Sequence, residues 1–116
     1  MADVEIWHNP ACSKSRKALE IVREAGHRVH VVAYLEAPPT AERLREVLAL
    51  LGVGPRELMR TGEAIYAELG LGDPALTADA LVAAMVAHPV LIERPVVVTT
   101  RGAVIARPPE RAHDVL

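Results

Sequence analysis

The hydrophobic pattern changes period near the start of the chain, and this change restricts the fold more than any other feature. Val4-Glu5-Ile6-Trp7-His8 alternates apolar and polar side chains, as a half-buried strand does. Asn9-Pro10-Ala11 is a turn. From Ser13 the spacing becomes helical, with Ala18, Leu19, Val22 and Ala25 on one face and Gly26 as the stop. Val29 to Tyr34 is a second β-rich run, broken by Ala37-Pro38-Pro39. A strand, a helix and a strand in so short a stretch form a βαβ unit, with parallel strands and a right-handed crossover.

Thr40 can cap the next helix, whose apolar face is Leu44, Val47, Leu48 and Leu51 and whose stop is Gly52. Pro55 to Leu58 and Ala64 to Leu69 suit short helical turns. Thr77 opens a further helix through Leu81, Val82, Met85 and Val86, ended before Pro89. Val96 to Thr100 reads as a strand, Arg101-Gly102 as a turn and Ala103 to Ala106 as the returning strand of a hairpin. Pro108-Pro109 starts a short C-terminal helix. The order is βαβ, a helical insertion from about 40 to 88, then ββα. The simplest architecture is a single α/β domain over 1–116, with a mixed four-stranded sheet on the thioredoxin-like plan.

The 116 residues carry a net charge of −2 and are 51% hydrophobic, the composition of a soluble globular chain. With no Phe, one Trp and two Tyr, the core must be built from Leu, Val, Ile and Ala. A near-neutral balance argues against general nucleic-acid binding. Asp3 and Glu5 stand where a signal peptide would be basic, and no apolar run approaches the roughly 20 residues of a membrane span. One cysteine permits no internal disulfide, which fits a cytoplasmic protein.

That cysteine, Cys12, lies between a strand and a helix. The first N–H groups of a helix have no internal acceptor, and the helix dipole adds partial positive charge, so a thiolate is favoured there. Lys14 and Arg16 fall in the first turn, and His8 at the strand end would add an imidazolium beside the sulfur. Ser15 occupies the place of the second cysteine of a Cys-x-x-Cys motif. A redox cycle at Cys12 must therefore borrow an external thiol. His27, His30, His88 and His113 show no ligand spacing with Cys12, so no metal site is expected.

Of the thirteen basic residues only Lys14 and Lys17 are lysines. Arginine's planar fork suits a tetrahedral oxyanion, because it donates two parallel hydrogen bonds. Arg60 lies in the insertion, while Arg94 and Arg107 bracket the hairpin. In the proposed sheet the latter two share the end where the first strand stops and Cys12 lies, and Arg101 sits at the opposite turn. Thioredoxin-like folds place a cis-proline before the third strand, against the cysteine turn, so Arg94-Pro95 is expected to be cis.

Five segments in order resemble the glutaredoxin-coupled arsenate reductases, especially their shorter relatives. They are His8-Asn9-Pro10-Ala11-Cys12-Ser13-Lys14-Ser15-Arg16, Tyr34-Leu35-Glu36 with Pro39, Leu58-Met59-Arg60, Glu93-Arg94-Pro95-Val96 and Arg107-Pro108-Pro109-Glu110. One departure is Ser13-Lys14-Ser15, where the better-studied reductases carry a Gly-Thr-Ser type sequence. The resemblance implies that Cys12 attacks arsenate held by Arg60, Arg94 and Arg107, with His8 favouring the thiolate and Asn9, Ser15, Arg16 and Pro95 in support. It further implies glutathione as co-substrate, glutaredoxin as protein partner, and no bound cofactor. Two other functions compete: a thioredoxin-like transcriptional regulator that binds RNA polymerase, and a general glutathione-dependent monothiol oxidoreductase. The missing second cysteine counts against the regulator.

Overall fold

The structure, a computed structural model, describes residues Asp3–Leu116, which form two compact units. The first comprises the chain up to Ala37 together with Arg94–Leu116; the second is Pro38–Glu93.

The first unit holds one sheet of strands β1 (Asp3–Trp7), β2 (Arg28–Val32), β3 (Val96–Thr99) and β4 (Gly102–Ile105), in the order β2-β1-β3-β4. β1 and β2 run parallel from Asp3 opposite Arg28 to Trp7 opposite Val32. β3 lies antiparallel to β1, with Trp7 opposite Val96, and β4 lies antiparallel to β3. This is the mixed thioredoxin-like sheet expected from the element order. β2 is shorter than its apolar run because β1 ends at Trp7 and the ladder closes with His8 N–H donating to Val32 O at 3.0 Å. Ala33 instead begins a turn, its carbonyl accepting from Glu36 and Ala37 N–H. The hairpin turn sits at Thr100 and Arg101, and Gly102, at φ 134°, already begins β4.

Helix α1 (Ser13–Glu24) covers one face of the sheet. Val4 and Ile6 of β1, Val97 of β3 and Val104 of β4 pack with Ala18, Ile21 and Val22 of α1. Ala112 and Val115 close the cluster from the C-terminal segment, where Pro109–Asp114 forms a 3-10 helix. Thr99 Oγ1 donates to Val115 O at 2.8 Å and ties that segment to β3. The buried stripe of α1 is Ser15, Ala18, Ile21 and Val22. Leu19 lies at its margin, and Ala25 is exposed because the helix has ended there. Gly26 follows in the left-handed region at φ 84°, which only glycine adopts without steric cost.

The second unit is helical: α2 (Ala41–Leu51), α3 (Pro55–Leu58), α4 (Ala64–Glu68) and α5 (Ala78–Ala87), then a 3-10 turn at Pro89–Leu91. Thr40 caps α2 as expected, its Oγ1 accepting from Arg43 N–H at 3.1 Å, and Gly52 ends it at φ 71°. One feature has no sequence signature. Glu93 N–H donates to Leu58 O and Arg60 N–H to Leu91 O, both at 2.7 Å, so Met59 bridges Ile92 in antiparallel fashion.

Ile6 is fully buried between sheet and helix. Ile6→Ala is expected to lower the unfolding free energy in urea by about 2–5 kcal/mol, and a loss well under 1 kcal/mol would show that this cluster does not hold the first unit together.

Candidate active site

The cysteine loop is organised by its own side chains. Asn9 Oδ1 accepts from Ala11 N–H and Asn9 O accepts from Cys12 N–H, both at 3.0 Å, which folds 9–12 into a tight Asx turn. Cys12 is then the N-cap of α1, in extended conformation, with its carbonyl accepting the first helical bond from Arg16 N–H. Its side chain makes no capping hydrogen bond. The thiol is half-buried and stands at the helix start, where the Ser13, Lys14 and Ser15 N–H groups have no intrahelical acceptor. Arg16 folds back so that one Nη donates to Pro10 O at 2.8 Å, closing the loop from the solvent side.

Ser15 is the unexpected centre of this arrangement. It is fully buried, and its Oγ accepts from Asn9 N–H at 3.0 Å and contacts His8 Nδ1 at 2.5 Å. A buried hydroxyl proton needs an acceptor, and His8 Nδ1 is the partner within reach. Ser15 therefore donates to Nδ1, and the ring proton of neutral His8 resides on Nε2. The sequence placed an imidazolium here, and the structure corrects that expectation. Burial pulls the His8 pKa below its ordinary value of 6.5, and the positive charges of Arg23 and then Arg16 lower it further. Burial and the two guanidiniums thus favour the neutral ring of His8.

Arg94, Pro95 and Arg107 reach the same end of the sheet, because Trp7 pairs with Val96 and Val96 with Ile105. Ala106 N–H continues the ladder to Pro95 O at 2.9 Å. Arg94–Pro95 is cis as expected, and Arg107–Pro108 is cis as well. One Nη of Arg107 donates to the Arg94 carbonyl at 3.1 Å, so the two arginine positions are tied across the base of the hairpin. Arg60 belongs to the second unit and follows α3. Its Nε donates to Glu63 Oε1 at 3.1 Å and an Nη to Glu93 Oε1 at 3.0 Å, so an oxyanion at this guanidinium would compete with two carboxylates. The Arg60–Glu63 spacing of three residues hinted at one of these pairs; the Glu93 pair is non-local and carried no sequence signal. Among the described residues, no group of His, Cys, Asp and Glu is arranged to hold a metal ion.

Since the folded state favours neutral His8, the unfolded chain binds its proton at higher pH. The stability this group contributes is fully present above the unfolded value of 6.5 and is lost as pH falls from there toward the lower folded value. In a proton NMR titration His8 should titrate below 6.5 and move upward in Arg23→Ala. Titration at or above 6.5 would mean that the ring is held as an imidazolium after all.

With this geometry in place, comparisons locate the chain among known proteins. It is 48% identical to the "Uncharacterized protein YfgD" of Escherichia coli (strain K12) over 114 residues, 97% of this chain and 96% of that one. It is 41% identical to an arsenate reductase of the same organism over 116 residues, covering all of this chain and 82% of the relative. A solved structure of an arsenate reductase from Vibrio cholerae superposes with a TM-score of 0.96 at 46% identity, covering 99% of this chain and 98% of that one. The model of the ArsC family matches residues 7–115, which takes in the cysteine loop, the helical insertion and the closing hairpin. The chain is therefore a member of the ArsC family.

Proposed function

We propose that this protein reduces arsenate to arsenite through Cys12, with glutathione and then glutaredoxin as the source of electrons. The observation that carries the reading is the cysteine itself: a half-buried thiol uncommitted to capping, at a helix start, at the sheet end that Arg94 and Arg107 share. A tetrahedral oxyanion fits unsatisfied N–H groups and arginine forks for the same electrostatic reason. Relatives at 41% identity bear the name arsenate reductase.

In the first step the Cys12 sulfur attacks arsenic and forms an S–As bond. One arsenate oxygen leaves as water, and arsenic stays pentavalent. Arg60, Arg94 and Arg107 would hold the remaining oxygens, and the His8 Nε2–H would donate to the sulfur before attack. Asn9, Ser15, Arg16 and Pro95 would keep the loop and the third strand in place. In the second step the glutathione sulfur attacks Cys12 Sγ, and the S–As electron pair passes to arsenic. Arsenite leaves with the glutathione proton, and a Cys12–glutathione disulfide remains. Two thiols are oxidised and arsenic takes up two electrons. A glutaredoxin thiolate then attacks the glutathionyl sulfur and frees Cys12. Because the cycle draws on reduced glutathione, its place of action would be the cytoplasm.

The test is NADPH oxidation in the presence of glutathione, glutaredoxin and glutathione reductase, with and without arsenate. Arsenate-dependent oxidation is expected for the wild type and not for Cys12→Ser. Arg94→Ala should raise the KM for arsenate roughly tenfold or more, as expected for loss of a hydrogen bond to a charged group. If arsenate adds no rate above the Cys12→Ser control, the reductase reading fails. Full activity with thioredoxin in place of glutathione and glutaredoxin would overturn the electron source alone.

A further inference from the structure

The guanidinium of Arg60 is engaged before any oxyanion arrives. Its Nε donates to Glu63 Oε1 at 3.1 Å and its Nη1 to Glu93 Oε1 at 3.0 Å. The three side chains are only 24–30% exposed, and one positive charge against two negative ones leaves the trio net negative. The backbone presets this pairing. Arg60 N–H donates to Leu91 O and Glu93 N–H to Leu58 O, both at 2.7 Å, while the buried Met59 and Ile92 lie opposite one another between them. Glu93 also adjoins Arg94 in the chain. One carboxylate is thus tied to two of the three arginines assigned to arsenate, to one by an ion pair and to the other by a peptide bond.

We infer that Glu93 sets the oxyanion specificity: its carboxylate exchanges the Arg60 Nη1–H for an O–H of the bound oxyanion, and so selects protonated tetrahedral oxyanions of the arsenate and phosphate type over sulfate. The inference rests on Arg60 as a ligand of arsenate and deepens that reading. A guanidinium offers an oxyanion two bidentate edges, one that includes Nε and one that includes both Nη atoms. Each edge of Arg60 therefore contains a nitrogen that already serves a carboxylate. An oxyanion bound through this fork takes a hydrogen bond from a carboxylate, and its own oxygens come to lie against the carboxylate oxygens. Two bare oxygens repel there. An oxygen that carries a proton instead donates a short, charge-assisted O–H···O bond. Arsenate and phosphate keep at least one O–H at neutral pH, whereas sulfate keeps none. Sulfate thus takes a donor from Glu93 and gives none back, which is discrimination by an unmet hydrogen bond. Glu63, the N-cap of α4, retains Nε and with it the orientation of the guanidinium. Only hydrogen bonds change partners, and the proton stays on the oxyanion.

The experiment titrates sodium phosphate, which cannot be reduced here, and sodium sulfate onto the isotope-labelled full chain at neutral pH and matched ionic strength. The Arg60 Nε–H signal is followed by NMR to about 20 mM anion, a range that detects millimolar binding. The wild type should bind phosphate saturably and at least about tenfold more tightly than sulfate, the effect of one hydrogen bond to a charged group. Glu93→Gln keeps the size of the side chain, and its amide can donate to a bare oxygen as well as accept from an O–H. It should lower the phosphate-to-sulfate preference about tenfold, chiefly by admitting sulfate. Glu63→Gln should keep the preference. A carboxylate that merely held Arg60 in place would change both affinities alike on substitution and leave their ratio unmoved, which would overturn the inference. No saturable shift with phosphate, or the same loss of preference in Glu63→Gln, would overturn it too. Should Glu93→Gln fail to fold, the wild type decides alone, because sulfate bound as tightly as phosphate rules out the selection. These titrations need no arsenate chemistry. A preference that depends on Glu93 without arsenate-dependent turnover would leave the specificity standing and remove the reductase reading, and turnover without the preference would do the reverse.

Discussion

Ser15 joins the strand, the loop and the helix at a single oxygen. Its hydroxyl, fully buried on the inner face of α1, accepts from the Asn9 backbone and donates to the ring of His8. A buried hydroxyl left without partners costs roughly 1–3 kcal/mol, so each of the three groups constrains the other two. With Ser15 satisfied, Asn9 closes the Asx turn, Cys12 falls at the N-cap, and His8 is held in one tautomer. A cysteine at this position would be a much weaker hydrogen-bond donor to Nδ1. The residue that removes the second thiol of a Cys-x-x-Cys motif is thus the one that organises the loop of the first.

The site depends next on strand direction. β1 and β2 run parallel, while β3 returns antiparallel to β1, so the start of β3 and the end of β4 come to the end of β1. Two arginines more than ten residues apart thereby reach one end of the sheet, where Arg107 donates to the Arg94 carbonyl. Arg60 differs. Its guanidinium is held by Glu63 and Glu93 within the insertion, so any role on an oxyanion involves an exchange of partners.

Much of this architecture was legible because its causes are local. Thr40 as a cap, Gly26 and Gly52 as stops, Pro55 opening α3 and the period change around Pro10 each act within a few residues, and each element formed where these signals put it. Boundaries moved where pairing decided them. β2 lost Ala33 and Tyr34 because β1 offers no rung beyond His8, and the helical stripe shifted from Ala25 to Ile21 because α1 ends first. The Met59–Ile92 bridge joins residues far apart in the chain and could not be read from either segment.

The charge state of His8 shows where sequence reading stops. Position alone put a histidine at the end of a strand beside a cysteine, and an imidazolium was the natural reading. Whether that ring carries a proton depends on its desolvation, on the Ser15 hydroxyl and on two guanidiniums of α1, one of them fifteen positions away in the chain. The sequence by itself determined that a single thiol stands at a strand-to-helix turn, in a βαβ–ββα chain, with no internal partner, since these follow from residue type and local periodicity. Only the tertiary structure decided that burial disfavours the charged form of the histidine, that Ser15 holds it, and that a cleft opens beside the cysteine loop. Those properties arise from burial and from electrostatic contacts between segments, which a one-dimensional pattern does not carry.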